Sequence, residues 1–274
     1  MPSWDSGFAP TGVGACPSPR YARPRRPSTR VVVTLSGPCY PAAMPPSPDA
    51  IRAELRTLCP DLGARALDLL THMYTAQRLQ GTEGEAEPGL TRIGPLQGAV
   101  LHRLVRRTGA LRTLEVGFAF GYSTIWLLDA LPAGGRHVAV DPHERALYAG
   151  VGLYQVQQLV APAQFEWRGA YAIHALSDAI RAGERHDLIF IDGNHRFDDV
   201  LVDFYLADQA LRPGGIMAFD DLWMPSVRSA VSFVASNRAY QPVTQPEGNM
   251  AVFQKVADDT RDWRHWVPFQ VHVG

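Results

Sequence analysis

Between positions 111 and 255 the chain alternates short apolar runs with helical segments, and this alternation restricts it to an α/β architecture. Candidate strands cover 111–116, 137–140, 164–167, 187–191, 216–219 and 250–255. Strands separated by helices imply βαβ units and a parallel sheet. Leu188-Ile189-Phe190-Ile191 shows no polar alternation, as expected of a central strand covered by helices on both faces. In such sheets ligands bind outside the carboxyl ends of the strands, near the point where the strand order reverses. Those ends are therefore where functional residues are sought.

The upstream sequence reads as two further segments. Residues 1–47 form a leader whose proline content, five arginines between Arg20 and Arg30, and single acid, Asp5, leave it too little apolar surface to fold. Disorder is expected there, or translation beginning at Met44; the run Val31-Val32-Val33 is too short for an export signal. Residues 48–107 read as a helical cap. Ser47 or Asp49 can cap a helix that places Ile51, Leu55 and Leu58 on one face, and a second helix is expected from 62 to 79. Residues 80–89 read as a loop or lid, and a third helix carries Leu96, Val100, Leu101, Leu104 and Val105 on one face. Residues 108–274 would then hold the catalytic domain and a C-terminal tail.

The first strand runs into Glu115-Val116-Gly117-Phe118-Ala119-Phe120-Gly121-Tyr122-Ser123. Glycines there permit a tight turn and close approach of a ligand to the backbone. The spacing is G-x-x-x-G, with Ala119 where a dinucleotide fold carries its middle glycine, so a cofactor lacking phosphate fits better. Asp141, ending the second strand, can accept both hydrogen bonds of a ribose diol. Gly169-Ala170, after the third, are small enough to border an adenine ring. These residues, in this order, resemble the class I S-adenosylmethionine-dependent methyltransferases over about residues 96–256. The resemblance implies a Rossmann-like, mostly parallel sheet and S-adenosylmethionine as cofactor, with Glu115 shaping the loop and Ser123 helping to hold the methionine carboxylate.

The fourth strand ends Asp192-Gly193-Asn194-His195 and the fifth Asp220-Asp221. If those strands are neighbours, three carboxylates meet at one rim, and their mutual repulsion calls for a shared cation or a proton. Oxygen ligands suit a hard ion such as Mg²⁺. Here the sequence is similar to the metal-dependent O-methyltransferases typified by catechol O-methyltransferase, which carry an Asp and then an Asp-Asn pair at these places. The Asp220-Asp221 pair is similar to that of antibiotic-sugar O-methyltransferases. Asp192 would serve metal and cofactor together, Asp220 and Asp221 the metal, and His195, where the catechol enzyme has a lysine, would act as base. Asp198, Asp199 and Asp203 fall on the following helix and read as structural.

The expected reaction is methyl transfer to a hydroxyl of a small phenolic or sugar-containing molecule. An NAD-linked oxidoreductase and a non-catalytic cofactor-binding protein are the alternatives. A formal charge of −1 supplies no field for nucleic acid or a membrane surface. The tail aromatics Trp263, Trp266 and Phe269 suit either a homodimer contact or a cover over the sheet. Cys16, Cys39 and Cys59 cannot pair completely and lack zinc-site spacing, which points to a reducing cytoplasm.

Overall fold

Ser47 opens the folded chain by accepting a hydrogen bond from Ala50 N at its hydroxyl, with Pro48 in the first helical position. The structure, a computed structural model, describes residues 46–89, 91–243 and 249–269; the expected leader lies almost wholly outside them. Helix α1, Pro48–Leu58, buries Ile51 and Leu55, and α2 runs Ala64–Thr75. Helix α2 is shorter than the periodicity predicts because Ala76 turns to extended backbone and the chain enters a hairpin, β1 Leu79–Gln80 with β2 Glu85–Ala86. This hairpin occupies the segment expected to be a lid. Thr82 N and Glu83 N donate to the carbonyls of Gly150 and Ala149, and a Cβ on Gly81 would collide with that same backbone.

Helix α3, Pro95–Thr108, packs against α4, Tyr122–Ala130. Helix α4 is apolar all round, with Ile125, Trp126, Leu127 and Leu128 buried, because the cap covers its outer side while its inner side meets the sheet. One continuous core therefore contains Leu55, Leu70, Leu101, Trp126 and Phe190, and the cap is not a body apart from the sheet.

The remaining elements follow in βαβ succession: β3 Arg112–Val116, β4 Arg136–Val140, α5 Val151–Gln157, β5 Phe165–Arg168, α6 Ala172–Arg181, β6 His186–Ile191, α7 Phe197–Ala210, β7 Leu211–Phe219, α8 Pro225–Asn237, β8 Tyr240–Pro242 and β9 Ala251–Lys255. The sheet order is β5-β4-β3-β6-β7-β9-β8. All pairings among β3 to β7 are parallel, whereas β9 runs antiparallel to both β7 and β8. The order reverses between β3 and β6, in the middle of the sheet. Leu188, Ile189 and Phe190 of β6 are fully buried, each contributing roughly 1.5–3 kcal/mol.

The antiparallel edge is closed by a buried ionic knot. Lys255 Nζ donates to the carbonyls of Asp208 (2.6 Å) and Leu211 (2.9 Å) and pairs with Asp258 (2.8 Å). Asp208 also takes Arg238 and the Tyr240 hydroxyl. The tail aromatics cover α8 and not the sheet: Trp266 and Phe269 pack on Phe233, while Trp263 stays exposed.

Candidate functional site

The parallel ladder ends in a row of backbone bonds that fixes the site. Gly117 N donates to Val140 O, Asp192 N to Val116 O, and Asp220 N to Ile191 O, so the residues following β3, β6 and β7 stand side by side at one rim. Gly117 adopts φ 95°, and a side chain there would strike the carbonyl of Asp192. Only glycine lets the loop after β3 pass this closely over the end of β6.

A cavity of about 860 Å³ opens at this rim. Gly117, Ser123, Asp141, Asp192, His195, Asp220 and Asp221 all line it. Glu115 does not: it is fully buried beneath the loop, where it accepts from Ser123 and Thr124 and lies 3.2 Å from His137. Its carboxylate braces the start of α4 and engages the Ser123 hydroxyl as a hydrogen-bond acceptor. Gly121 caps α4 at φ 81° without lining the cavity. Gly169 and Ala170 fall just short of the wall, which is made instead by Tyr171, Ala172 and Ile173.

Asp141 is held by the protein itself as well as lining the cavity. Its Oδ2 accepts from Phe118 N (3.0 Å) and Ala119 N (2.9 Å), and its Oδ1 from His143 N (2.7 Å). Ala119 has φ 44°, a conformation that costs an L-residue about 1 kcal/mol or more and needs such a restraint. A carboxylate has about four acceptor positions. Three are occupied by the protein itself, which leaves one for a bound ligand.

The acidic rim also has more structure than three converging acids. The atoms that come together within 4.8 Å belong to Asp192, His195 and Asp221. His195 Nε2 lies 2.7 Å from Asp221 Oδ2 and 3.6 Å from Asp192 Oδ1, and it makes no aligned hydrogen bond. Asp221, at φ 56°, is further held by Trp223 Nε1 at 2.7 Å. Asp220 stands beside the trio, with both carboxylate oxygens 2.8 Å from Gln97 Nε2. Gln97 itself is fixed by accepting from Gly94 N at the start of α3. This cap residue was missed by sequence reasoning. A Gln in the third position of a helix is a capping signal, but nothing in the sequence shows where its amide nitrogen points.

Burial, then the neighbouring acids, push the Asp192 carboxyl up to about 6 and that of Asp220 to about 7. Contact with Asp192 and Asp221 pushes His195 up to about 10, while the same His195 contact holds Asp221 below the usual carboxylate range. Negative charge is thus concentrated here beyond what one imidazolium balances, which fits a site built for a cation.

Residues 114–222 match the family described as methyltransferase domain. Catechol O-methyltransferase B of Danio rerio is 27% identical over 204 residues, spanning 65% of this chain and 74% of that protein. Caffeoyl-CoA O-methyltransferase 2 of Zea mays is 30% identical over 135 residues, 48% of this chain and 50% of its own length. Among solved structures, the O-methyltransferase TomG of Streptomyces achromogenes, in complex with SAM, is 25% identical at a TM-score of 0.53, covering 61% of this chain and 82% of that one. An O-methyltransferase from Bacillus cereus in complex with SAH shares the fold at a TM-score of 0.58 and 21% identity, over 76% of this chain and 100% of its own.

The sheet order, its one antiparallel strand and the matched domain define a class I S-adenosylmethionine-dependent methyltransferase. Within that class the chain is similar to the catechol and caffeoyl-CoA O-methyltransferases over about half to two thirds of its length. The oxidoreductase alternative is thereby set aside.

Proposed function

We propose that the chain transfers the methyl group of S-adenosylmethionine to a hydroxyl of a small polyhydroxylated acceptor, phenolic or sugar-containing, with Mg²⁺ bound at Asp192, Asp220 and Asp221. The observation that carries this reading is the juxtaposition, in one cavity, of the loop after β3 with the Asp192/His195/Asp221 trio. Gly117, Asp141 and Ser123 would border the donor. Aromatic residues Tyr148, Tyr171 and Trp223 in the wall suit flat partners, adenine among them, and relatives named for catechol and caffeoyl-CoA favour a phenolic acceptor.

When bound, Mg²⁺ supplies a Lewis acid that lowers the pKa of an accepting hydroxyl. His195 takes the hydroxyl proton as the oxygen–carbon bond forms and the sulfonium–carbon bond breaks, releasing S-adenosylhomocysteine. Asp221, 2.7 Å away, stabilises the imidazolium that results. The field that pushes His195 up to about 10 comes from the two carboxylates, so neutralising them returns the ring toward its ordinary value, where it accepts a proton at neutral pH. Gln97 keeps Asp220 oriented throughout.

The reading is tested by following S-adenosylhomocysteine release against vicinal phenols and sugar diols, with Mg²⁺ and with excess chelator. Turnover that depends on a vicinal oxygen pair and stops with chelator is expected. Undiminished turnover in chelator overturns the metal assignment.

A further inference from the structure

A second convergence of ligand atoms lies in the cap. Cys59 ends α1, Asp61 sits in the following turn, and His102 projects from the middle of α3. Cys59 Sγ is 3.3 Å from His102 Nδ1 and 3.4 Å from Asp61 Oδ1, and all three ligand atoms lie within 4.8 Å of one another. On the far side of the ring, His102 Nε2 is 3.2 Å from Asp129 Oδ2, which is itself held by Gly63 N at 3.0 Å. Cys59 and His102 are almost wholly buried, and Asp61 is exposed, with Arg106 Nε 3.7 Å from its other carboxylate oxygen.

Proton counting shows what a cation would add to this arrangement. If Nε2–H is given to Asp129, Nδ1 is a bare acceptor. The single S–H of Cys59 then faces two acceptors, Nδ1 and the Asp61 carboxylate, and can serve only one. A cation in place of that proton serves all three. The spacing also agrees: with zinc–sulfur and zinc–nitrogen bonds of about 2.3 and 2.05 Å at tetrahedral angles, sulfur and nitrogen stand roughly 3.6 Å apart. The observed 3.3 Å is within a few tenths of an ångström. Carboxylate support of the second ring nitrogen is the usual companion of a metal-bound histidine.

We infer that Cys59, Asp61 and His102 form a second metal site, chemically unlike the acidic rim, that takes a thiophilic ion such as Zn²⁺ with a solvent-side position beside Asp61. Asp129 of α4 orients His102, so the ion ties the end of α1 to α3 and, through the ring, to α4. Its role is to staple the cap to the catalytic core. The ligands lie 41 residues apart between Asp61 and His102, which is why no zinc spacing is visible in the sequence.

The experiment uses Co²⁺ as probe on the full chain carrying Cys16→Ser and Cys39→Ser, under reducing conditions, so that Cys59 is the only thiol. One equivalent should produce a thiolate-to-cobalt band in the near ultraviolet together with visible bands of tetrahedral cobalt. An all-oxygen and imidazole site at the rim cannot produce the first. Asp61→Asn, on an exposed turn, should weaken cobalt binding on the order of 10-fold or more, and Zn²⁺ should raise the melting temperature of the parent but not of Cys59→Ser. No thiolate band at excess Co²⁺ overturns the proposal, as does Asp61→Asn binding cobalt as tightly as its parent. Should Cys59→Ser fail to fold, the Asp61→Asn titration still decides.

Discussion

Replacing Asp141 with Ala separates two functions that one carboxylate performs. The change removes acceptors for three backbone donors, at 3.0, 2.9 and 2.7 Å, in a residue only 6% exposed. A hydrogen bond to a charged group contributes about 1.5–3 kcal/mol. The three are not additive, because water entering from the cavity can reach some of the freed N–H groups, so a net loss of about 3 kcal/mol is expected. For a domain of this size, with Tm falling about 2–4 °C per kcal/mol, that is a drop of roughly 6–12 °C. Cofactor binding should fall separately. Loss of the one remaining acceptor position costs about 1.5–3 kcal/mol, roughly 10- to 150-fold in Kd for S-adenosylhomocysteine, and the loosened Phe118-Ala119 turn adds to it. Thermal melting without ligand and calorimetric titration with S-adenosylhomocysteine measure the two losses independently. If Asp141→Ala melts within a degree of the wild type while binding collapses, the carboxylate serves the ribose alone and the loop-clamp reasoning is wrong.

His195→Ala should lower kcat by on the order of 10²–10⁴ at neutral pH, with the deficit shrinking as pH rises and solvent replaces the base. Because the folded-state pKa of His195 is raised, its ion pairs stabilise the chelator-treated protein fully below about 6.5 and lose that effect as pH rises through about 10. Melting of wild type against His195→Gln in chelator should therefore differ most near pH 6 and converge toward pH 10. Gln97→Leu removes the bond that lowers the Asp220 pKa, so the acid limb of the rate profile should move to higher pH and the Mg²⁺ requirement should rise; an unchanged profile would mean Gln97 only caps α3. A chain beginning at Met44 should keep its melting temperature and turnover, and a large fall in either would show that residues 1–43 contribute to the fold.

Much of this architecture is legible in the sequence because burial on both faces leaves an unmistakable mark. The run Leu188–Ile191 and the acids that end β6 and β7 mark the rim in the sequence itself. What escapes is whatever depends on backbone groups or on distant partners. The clamp on Asp141 involves three N–H donors that carry no letter of their own, so the sequence shows an acid suited to a ribose diol and hides the loop that already occupies most of it. Gln97 meets Asp220 across 123 positions, and no local pattern encodes that contact. Strands β1 and β2, of two residues each, are too short for periodicity to register, and the reversed direction of β9 follows from a connection, not from its composition.

The ionic knot at the sheet edge has a practical corollary. Lys255 is the only lysine in these 274 residues, and its side chain is 1% exposed. The folded chain accordingly offers no accessible ε-amine to acylating reagents, to amine cross-linkers or to enzymes that conjugate acyl groups or ubiquitin onto lysine. Amine-directed labelling should attach one dye per chain, at the α-amino group, and a second should appear only when the β8–β9 edge opens. The stoichiometry of such labelling, followed through a denaturant series, would report the release of that edge directly.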